Sequence, residues 1–188
     1  MCIRDRVGTI KKIKRIAKII IEYKKKNYKV IVVSSAMSGV TNELIKKSLE
    51  ISDHFSESEH DVLVSSGEQV ACSLIAGRLI HEGYESRSWL SWQIPILTKG
   101  KYKNSRINEI NKRNIIKYLK KGGIPIVTGF QGLNDENRIT TIGRGGSDAT
   151  AIMIAKFFKA ERCIIYTDVE GVYTTCLLYT SPSPRDNR

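Results

Sequence analysis

Hydrophobic residues along 9–26 recur every three or four positions, with lysines between them. This spacing aligns Ile13, Ile16 and Ile20 on one face and predicts an amphipathic helix. Residues 28–33 follow as an apolar run rich in valine, which is typical of a parallel strand buried on both faces. The pattern therefore predicts a surface helix followed by a buried strand.

Three further segments have the pattern of helices. One starts at Thr41, a residue type that caps helices. Residues 53–60 are polar and acidic and predict a loop, whereas 61–81 predict a helix in which Gly67 allows a break. A third helix is predicted around 111–121, where two glycines end it.

Strands are predicted between and after these helices. Residues 86–97 predict one or two short strands, because Pro95 disfavours an uninterrupted central strand. The apolar runs 124–128 and 162–166 predict two more, and a polar turn within 131–141 suggests a hairpin. Strands that alternate with helices predict an α/β fold, a three-layer α/β/α sandwich around a mostly parallel sheet.

Residues 143–148, with the sequence Gly-Arg-Gly-Gly-Ser-Asp, are called the glycine loop below. Ser147 or Asp148 has the residue type to cap the apolar helix predicted over 149–158. The N-terminus of a helix favours anions, and the planar guanidinium of Arg144 suits a carboxylate or a phosphate. Taken alone, the loop is equally consistent with a simpler interpretation, in which a glycine turn precedes a helix cap and the arginine is only solvated.

Three segments with polar or small residues follow predicted parallel strands. They are 34–42, 128–132 and 167–173. In open α/β sheets, ligands bind in the crevice beyond the carboxyl ends of the strands. We therefore expect the glycine loop to face these segments and to form a ligand site with them.

The two ends of the chain are related through their coding sequences. One coding sequence for residues 1–6 has a reverse complement that encodes Cys-Leu-Leu-Tyr-Thr, the sequence of residues 176–180. We interpret 1–6 and 176–188 as translated sequencing adapter, and we expect 7–175 to be part of one catalytic domain. Without the four basic and two acidic residues of these ends, the formal charge falls from +12 to about +10.

Composition narrows the class of protein. Of the 188 residues, 41% are hydrophobic and 27% charged, which is usual for a globular domain. No apolar run reaches membrane-spanning length and no secretory signal is present, so a cytoplasmic location is expected. The excess lysines lie mainly in 11–29 and 99–121, on predicted surface helices, without a nucleic-acid motif. Cys72 and Cys163 stand in apolar surroundings and are expected to be buried, reduced thiols.

Six segments, in this order, resemble the catalytic domain of aspartate kinase, in the amino-acid-kinase superfamily. They are 32–42 (VVSSAMSGVTN), 65–69 (SSGEQ), 91–93 (SWQ), 129–132 (GFQG), 141–148 (TIGRGGSD) and 166–174 (YTDVEGVYT). The set covers essentially all of 7–175 and is most similar to the monofunctional bacterial enzymes. The resemblance implies the amino-acid-kinase fold.

The resemblance also implies a reaction. Aspartate kinases use ATP and Mg²⁺ to phosphorylate the side-chain carboxylate of L-aspartate, which gives 4-phospho-L-aspartate and opens the synthesis of lysine, threonine, methionine and often diaminopimelate. It implies, further, a homodimer formed through regulatory domains in the full-length enzyme. Since the accepting group is already a carboxylate at neutral pH, no general base is required, and catalysis should rest on positioning and charge neutralisation.

Individual roles follow from the same resemblance. The residues implied to bind aspartate are Arg144, Ser147, Ser35, Thr41 and Glu68, the last paired with its ammonium. Those implied to contact the nucleotide are Gly145, Gly146, Thr167, Asp168 and Tyr173. Asp148 would organise the reacting end of the substrate. Ser34 could supply the hydroxyl in place of Ser35, Thr41 could be only a helix cap, and Glu68 could be an ordinary surface glutamate. Trp92 and Phe130 are expected to line the core or the pocket.

One part of the family pattern is not found. Family members open with a strand that ends in Lys-Phe-Gly-Gly-Thr-Ser-Val, whereas here Val7, Gly8 and Thr9 directly follow residues 1–6. We therefore expect the central strand and its phosphate-binding lysine and glycines to be missing. Unpaired strand edges, aggregation and an inactive fragment are the expected results.

Two alternatives remain open from the residues. Within the superfamily, the chain could come from a glutamate, acetylglutamate or uridylate kinase, although segments 65–69 and 141–148 favour aspartate. From another class, a basic nucleic-acid-binding domain would use the lysine-rich faces and would bind with strong salt dependence.

Overall fold

The computed structural model describes residues 9–143 and 145–166 in full, together with the backbone of residues 2–3 and 172–173. Five helices lie in these parts of the chain: α1 (Ile10–Lys25), α2 (Val40–Ile51), α3 (Glu57–His81), α4 (Arg113–Lys120) and α5 (Gly146–Phe158). The strands are β1 (Cys2–Ile3), β2 (Val32–Ser34), β3 (Ser86–Trp89), β4 (Ile96–Lys101), β5 (Asn104–Ile110), β6 (Ile124–Thr128), β7 (Gln131–Leu133), β8 (Ile139–Thr141), β9 (Ile165–Tyr166) and β10 (Val172–Tyr173).

Six strands form the main sheet, in the order β10-β9-β1-β2-β6-β3. All neighbouring pairs are parallel except β9 and β10. The other four strands form a smaller sheet, in the order β5-β4-β7-β8, in which only β4 and β7 pair in parallel. The mostly parallel central sheet predicted from the sequence is confirmed.

Helices cover both faces of the main sheet. Val32 and Ile126 pack with α1 and α3 in one core cluster, whereas the next residues along these strands, Val33 and Val127, pack with α4 and α5 in another. Side chains alternate between the two faces of a strand, so both clusters need apolar residues and the strands become continuous apolar runs. The three-layer α/β/α sandwich is therefore confirmed.

Helix α1 lies where the spacing of apolar residues predicted it. Thr9 caps α1 by accepting a hydrogen bond from the backbone N–H of Lys12 at 3.2 Å. Ile13, Ile16 and Ile20 are buried on one face, as their spacing predicts. The following strand is shorter than predicted, because its ladder with β6 begins only at Val32.

Two local predictions were wrong. The predicted loop 53–60 ends early, because α3 begins at Glu57 and continues through Gly67 without a break. Residues 104–110 lie in β5 of a two-stranded antiparallel hairpin, so the lysines of 99–121 do not share one helical face. The hairpin predicted within 131–141 is confirmed as β7 and β8.

The two residues of β1 lie in the middle of the main sheet, between β9 and β2. Cys2 pairs with Val33 of β2 and Ile165 of β9, and Ile3 pairs with Ser34 and Tyr166. The expectation of an open centre in the sheet was therefore wrong, since this backbone bridges β2 and β9. The adapter origin of residues 1–6 and 176–188 stays a prediction.

The two cysteines expected to be buried differ in exposure. Cys72 is fully buried in α3, and Cys163 is half-buried before β9; both are free thiols. Burial, with Glu68 one helical turn away, raises the pKa of the Cys72 thiol and keeps it protonated. The described helices include none long and apolar enough to cross a bilayer.

Candidate functional site

The carboxyl ends of β2 and β6 meet the start of α5. The backbone N–H of Gly129, just after β6, donates to the carbonyl of Ser34 at 2.9 Å. A Cβ at Gly129 would lie 2.8 Å from Oγ of Ser147, so only glycine allows α5 to approach this closely. As predicted, the segments 34–42 and 128–132 lie together with the glycine loop.

Glu68 is the buried carboxylate of this edge. Its side chain projects from the middle of α3 and the residue is 3% exposed, so it is not the surface glutamate that the sequence alone allowed. Oε1 accepts a hydrogen bond from the backbone N–H of Ala36 at 3.1 Å, and Oε2 has no hydrogen-bond partner among the described residues. Desolvation raises the pKa of Glu68 from 4.5 to about 7, against the lowering effect of the Ala36 hydrogen bond.

The glycine before Glu68 brings the loop after β2 onto α3. A Cβ on Gly67 would lie 2.9 Å from the Cβ of Ala36 and 3.3 Å from Cγ1 of Val40. Gly67 therefore permits the contact through which Ala36 reaches Glu68. The sequence suggested a helix break at this glycine, but its role is close packing.

The glycine loop enters α5 through a left-handed residue. Gly145 has φ +79 and is the N-cap of α5, and Gly146 is the first residue of the helix. The prediction that Ser147 or Asp148 caps the helix was wrong, since both lie inside the first turn. Ser147 is buried and Asp148 is half-buried. Asp148 places a carboxylate at the positive end of the helix dipole.

A hydrogen bond between the backbone of Phe130 and the side chain of Thr150 fixes the wall of the crevice beside this helix. Phe130 has φ +65, which is uncommon for a residue other than glycine, and its ring leaves no room for a Cβ on Gly146. The N–H of Phe130 donates to Oγ1 of Thr150 at 3.1 Å, and that hydroxyl donates to the carbonyl of Gly146 at 2.8 Å. Phe130 is therefore a wall residue, as expected, and Thr150 holds it against α5.

Two predicted hydroxyl residues lie on the loop between β2 and α2. Ser34 is fully buried and its Oγ donates to the carbonyl of Ser35 at 3.0 Å, so Ser35 is the more accessible of the two. Thr41 is half-buried in the first turn of α2, whose N-cap is Gly39 with φ +84. Thr41 is therefore not the N-cap of α2, and its hydroxyl does not cap the helix.

Part of the predicted site lies outside the described residues. Arg144, Thr167 and Asp168 belong to this part, and for Tyr173 only the backbone is described, within β10. Their roles stay predictions. Trp92, expected in the core or the pocket, is 42% exposed, and the tryptophan in the core is Trp89.

The sequence did not point to Asp61. This residue is fully buried near the start of α3, and its carboxylate accepts hydrogen bonds from Lys103 and Thr141. The only signal in the sequence is an aspartate two helical turns before Glu68, on the same face. Gln131, from a segment that resembled the family, has a structural role: its Nε2 donates to the carbonyl of Ser65 at 3.0 Å.

Other parts of the described structure give less support for a functional site. A cavity of about 610 Å³, lined partly by Tyr23, Phe158 and Ile164, lies at the opposite edge of the sheet, where β2 and β9 begin. Ligands of α/β sheets bind at the carboxyl edge, so this cavity is not the predicted site. Within 9–143 and 145–166, no three His, Cys, Asp or Glu side chains converge as a metal-binding group.

Comparison with known proteins shows the family to which the chain belongs. The model of the amino acid kinase family matches residues 3–176. The aspartokinase of Rickettsia conorii is 48% identical over 171 residues, which are 89% of this chain and 43% of that protein. The chain thus spans less than half the length of the curated relatives it matches.

Solved structures show the same architecture. The aspartate kinase of Synechocystis superposes with a TM-score of 0.76 at 34% identity, covering 89% of this chain and 28% of that one. Aspartokinase III of E. coli, solved in complex with aspartate and ADP, gives 0.77 at 22% identity, over 90% of this chain and 49% of that one. At 22% identity, the superposition on aspartokinase III shows only that the fold is shared. These comparisons do not favour another kinase of the superfamily or a nucleic-acid-binding domain.

Proposed function

Because this chain belongs to the amino acid kinase family, we propose that it is part of an aspartate kinase. Such an enzyme transfers the terminal phosphoryl group of ATP to the side-chain carboxylate of L-aspartate and releases 4-phospho-L-aspartate and ADP. The observation that carries the proposal is Glu68, a buried carboxylate with one unpaired oxygen at the sheet edge where α5 begins. A buried acid of this kind suits a cationic group of the substrate.

The polar groups of this edge match the charges of aspartate. Its ammonium needs an anion, which Glu68 would provide, and its carboxylates need cationic or hydrogen-bonding partners. Arg144 and Ser147 would provide these at the positive end of α5, with the hydroxyls of Ser35 and Thr41 beside them. A bound ammonium would also favour the ionised form of Glu68, whose pKa of about 7 leaves it partly protonated without substrate.

The nucleotide would bind beside the aspartate. We propose Gly145, Gly146, Thr167, Asp168 and Tyr173 as its contacts. Gly145 and Gly146 lead into α5, and the first turn of a helix directs its N–H groups toward an anion such as a phosphate.

Mg²⁺ is compatible with the described residues. It usually binds one or two carboxylates together with substrate phosphates and water, so a three-residue protein cage is not required. Asp148 would contribute the carboxylate at the reacting end. When bound, the ion neutralises charge on the phosphates, while the protein orients the two reacting oxygens.

The reaction itself is the test of this proposal. The full-length gene product is incubated with ATP, Mg²⁺ and L-aspartate, and the acyl phosphate is trapped with hydroxylamine as the hydroxamate. Parallel reactions contain L-glutamate, whose acyl phosphate is trapped in the same way, or UMP, whose product UDP forms no hydroxamate and is measured by chromatography. We expect product only with aspartate. A preference for glutamate or UMP, or ADP release that does not depend on aspartate, would contradict the proposal.

Two arginine variants separate the proposed binding role from a general effect of charge. Arg144→Lys keeps the positive charge but removes the planar fork, and we expect the KM for aspartate to rise about tenfold or more. Arg138→Lys makes the same change in an exposed ion pair with Glu59, where such pairs contribute little. Equal KM values in the two variants would contradict the role of Arg144.

We also propose that the full-length enzyme is a cytoplasmic homodimer that associates through regulatory domains. Light scattering on the full-length protein measures the assembly, and a monomer at micromolar concentration would contradict it.

A further inference from the structure

Asp61 is a buried carboxylate that the proposed reaction does not use. It is 0% exposed. Oδ2 accepts from the backbone N–H of Lys103 at 2.9 Å and of Thr141 at 2.7 Å. Oδ1 accepts from the hydroxyl of Thr141 at 2.7 Å and, more weakly, from the same N–H of Lys103 at 3.2 Å. His60 is the other titratable group beside it, with Nδ1 3.6 Å from Oδ1.

These hydrogen bonds join three elements at one point. Asp61 belongs to α3, Lys103 lies at the tip of the β4–β5 hairpin, and Thr141 ends β8. A carboxylate is a costly group to bury, and apolar residues of similar volume can stabilise a fold as well or better. Hydrogen bonds are directional, so these bonds define the relative position of the three elements more precisely than apolar contacts would.

The glycine loop begins directly after this point. Thr141 precedes Gly143 by two residues, and its carbonyl accepts a hydrogen bond from Oγ of Ser105 at 3.0 Å. A Cβ on Gly143 would lie 2.6 Å from Oδ1 of Asn104, at the start of β5. The stem of the loop is thus held between Asp61 on one side and the β4–β5 hairpin on the other.

The same helix carries Glu68. Asp61 and Glu68 are seven residues apart in α3, a rise of about 10 Å on the same face. Between them, the carbonyl of Ser65 accepts the hydrogen bond from Gln131 of β7. One face of α3 therefore contacts β8, then β7, and then the loop at Ala36.

We propose that Asp61 is a positioning residue of the kinase site, which holds the glycine loop in register with Glu68 through its hydrogen bonds to Thr141 and Lys103. This inference rests on the proposed function, because the register matters where both groups bind one substrate. Ser147 follows Thr141 closely in the chain, so a shift of the stem displaces it.

Three variants of the full-length enzyme test the proposal. Asp61→Ala removes all the hydrogen bonds, and we expect the KM for aspartate to rise about 10- to 100-fold while the KM for ATP changes much less. In Asp61→Asn, the amide oxygen can accept from both backbone N–H groups and the amide NH₂ can donate to the Thr141 hydroxyl, so KM should stay within about threefold. Glu59→Gln, two residues away, breaks only the exposed ion pair with Arg138 and is the control.

Kinetics and folding are measured together. Thr141→Val, which loses one hydrogen bond and keeps both amide contacts, gives a second reading if Asp61→Ala does not fold; its KM for aspartate should rise by a smaller factor than in the alanine variant. Lower melting temperatures with an unchanged KM for aspartate in the variants that fold would overturn the proposal. So would equal losses in Asp61→Asn and Asp61→Ala.

Hydrogen exchange separates this inference from the proposed function. In the 188-residue chain, we expect Asp61→Asn and Thr141→Val, which both keep an acceptor for the amide of residue 141, to preserve its slow exchange, and Asp61→Ala to accelerate it beyond the change in global stability. If the wild-type enzyme does not phosphorylate aspartate, the proposed function fails, and the exchange result still decides whether Asp61 holds the loop. Unchanged exchange of this amide in Asp61→Ala would overturn the positioning role.

Discussion

The backbone N–H of Ala36 donates to Oε1 of Glu68 over 3.1 Å, which joins the loop after β2 to the middle of α3. The partners are 32 residues apart in the chain. Because Oε2 has no hydrogen-bond partner among the described residues, this contact orients the carboxylate without satisfying it. The buried acid is thus held in one orientation by the loop that carries Ser35.

The stability of the chain should depend on pH through Glu68. Its pKa is about 7 in the folded state against 4.5 ordinarily, so between these values the folded state holds a proton that the unfolded chain has lost. The free energy of unfolding should therefore fall as pH rises through this window, by an amount on the order of 3 kcal/mol.

Glu68→Gln isolates this effect. Glutamine can still accept from Ala36 but does not titrate, so the difference in unfolding free energy between the variant and the wild type should grow from pH 4.5 to 7 and then level off. Urea titrations at half-unit pH steps measure it. Parallel pH profiles for the two proteins would show that Glu68 titrates normally.

The same variant should weaken aspartate binding in the full-length enzyme. Neutralising a buried partner of an ammonium typically costs about 2 kcal/mol or more, so the KM for aspartate should rise roughly 30-fold with little change in the KM for ATP. Steady-state kinetics measures this split. Glu57→Gln, an exposed glutamate in the first turn of the same helix, should leave both constants near wild type.

Two glycines of α3 should respond in opposite directions to alanine. At Gly67 the new Cβ would lie 2.9 Å from the Cβ of Ala36, so Gly67→Ala should destabilise the fold by about 1–3 kcal/mol and displace the loop. At Gly77 no atom lies within 4 Å of the new Cβ, and Gly77→Ala should stabilise the helix by about 0.5–1 kcal/mol. Thermal unfolding of both variants checks the signs, and a stabilised Gly67→Ala would contradict the packing role.

Thr150 should matter through its hydroxyl. Thr150→Val keeps the shape but leaves the part-buried N–H of Phe130 without its acceptor, which should cost about 1–3 kcal/mol. Thr150→Ser keeps the hydroxyl and should recover most of this stability. Chemical denaturation distinguishes the two, and a loss in Thr150→Ser as large as that in Thr150→Val would contradict a dominant role of the hydroxyl.

Local pattern was sufficient where neighbouring residues decide the structure. The three-to-four spacing and the Thr9 cap predicted α1, and the apolar runs predicted β2 and β6. The pattern failed for β4 and β5, because a lysine-rich hairpin with exposed residues resembles a charged helical face when only charge is counted.

The sequence by itself determined the five described helices, the strands β2, β3, β6 and β9 of the main sheet, and the family to which the segments belong, and it predicted the sheet edge at which a ligand would bind. Only the tertiary structure decided that Glu68 is buried, that Gly67 permits close packing, and that Asp61 holds Thr141 from 80 residues away. The physical reason is that burial and hydrogen-bond partners depend on segments distant in the chain. Periodicity reports only which face a residue occupies, not what lies opposite it.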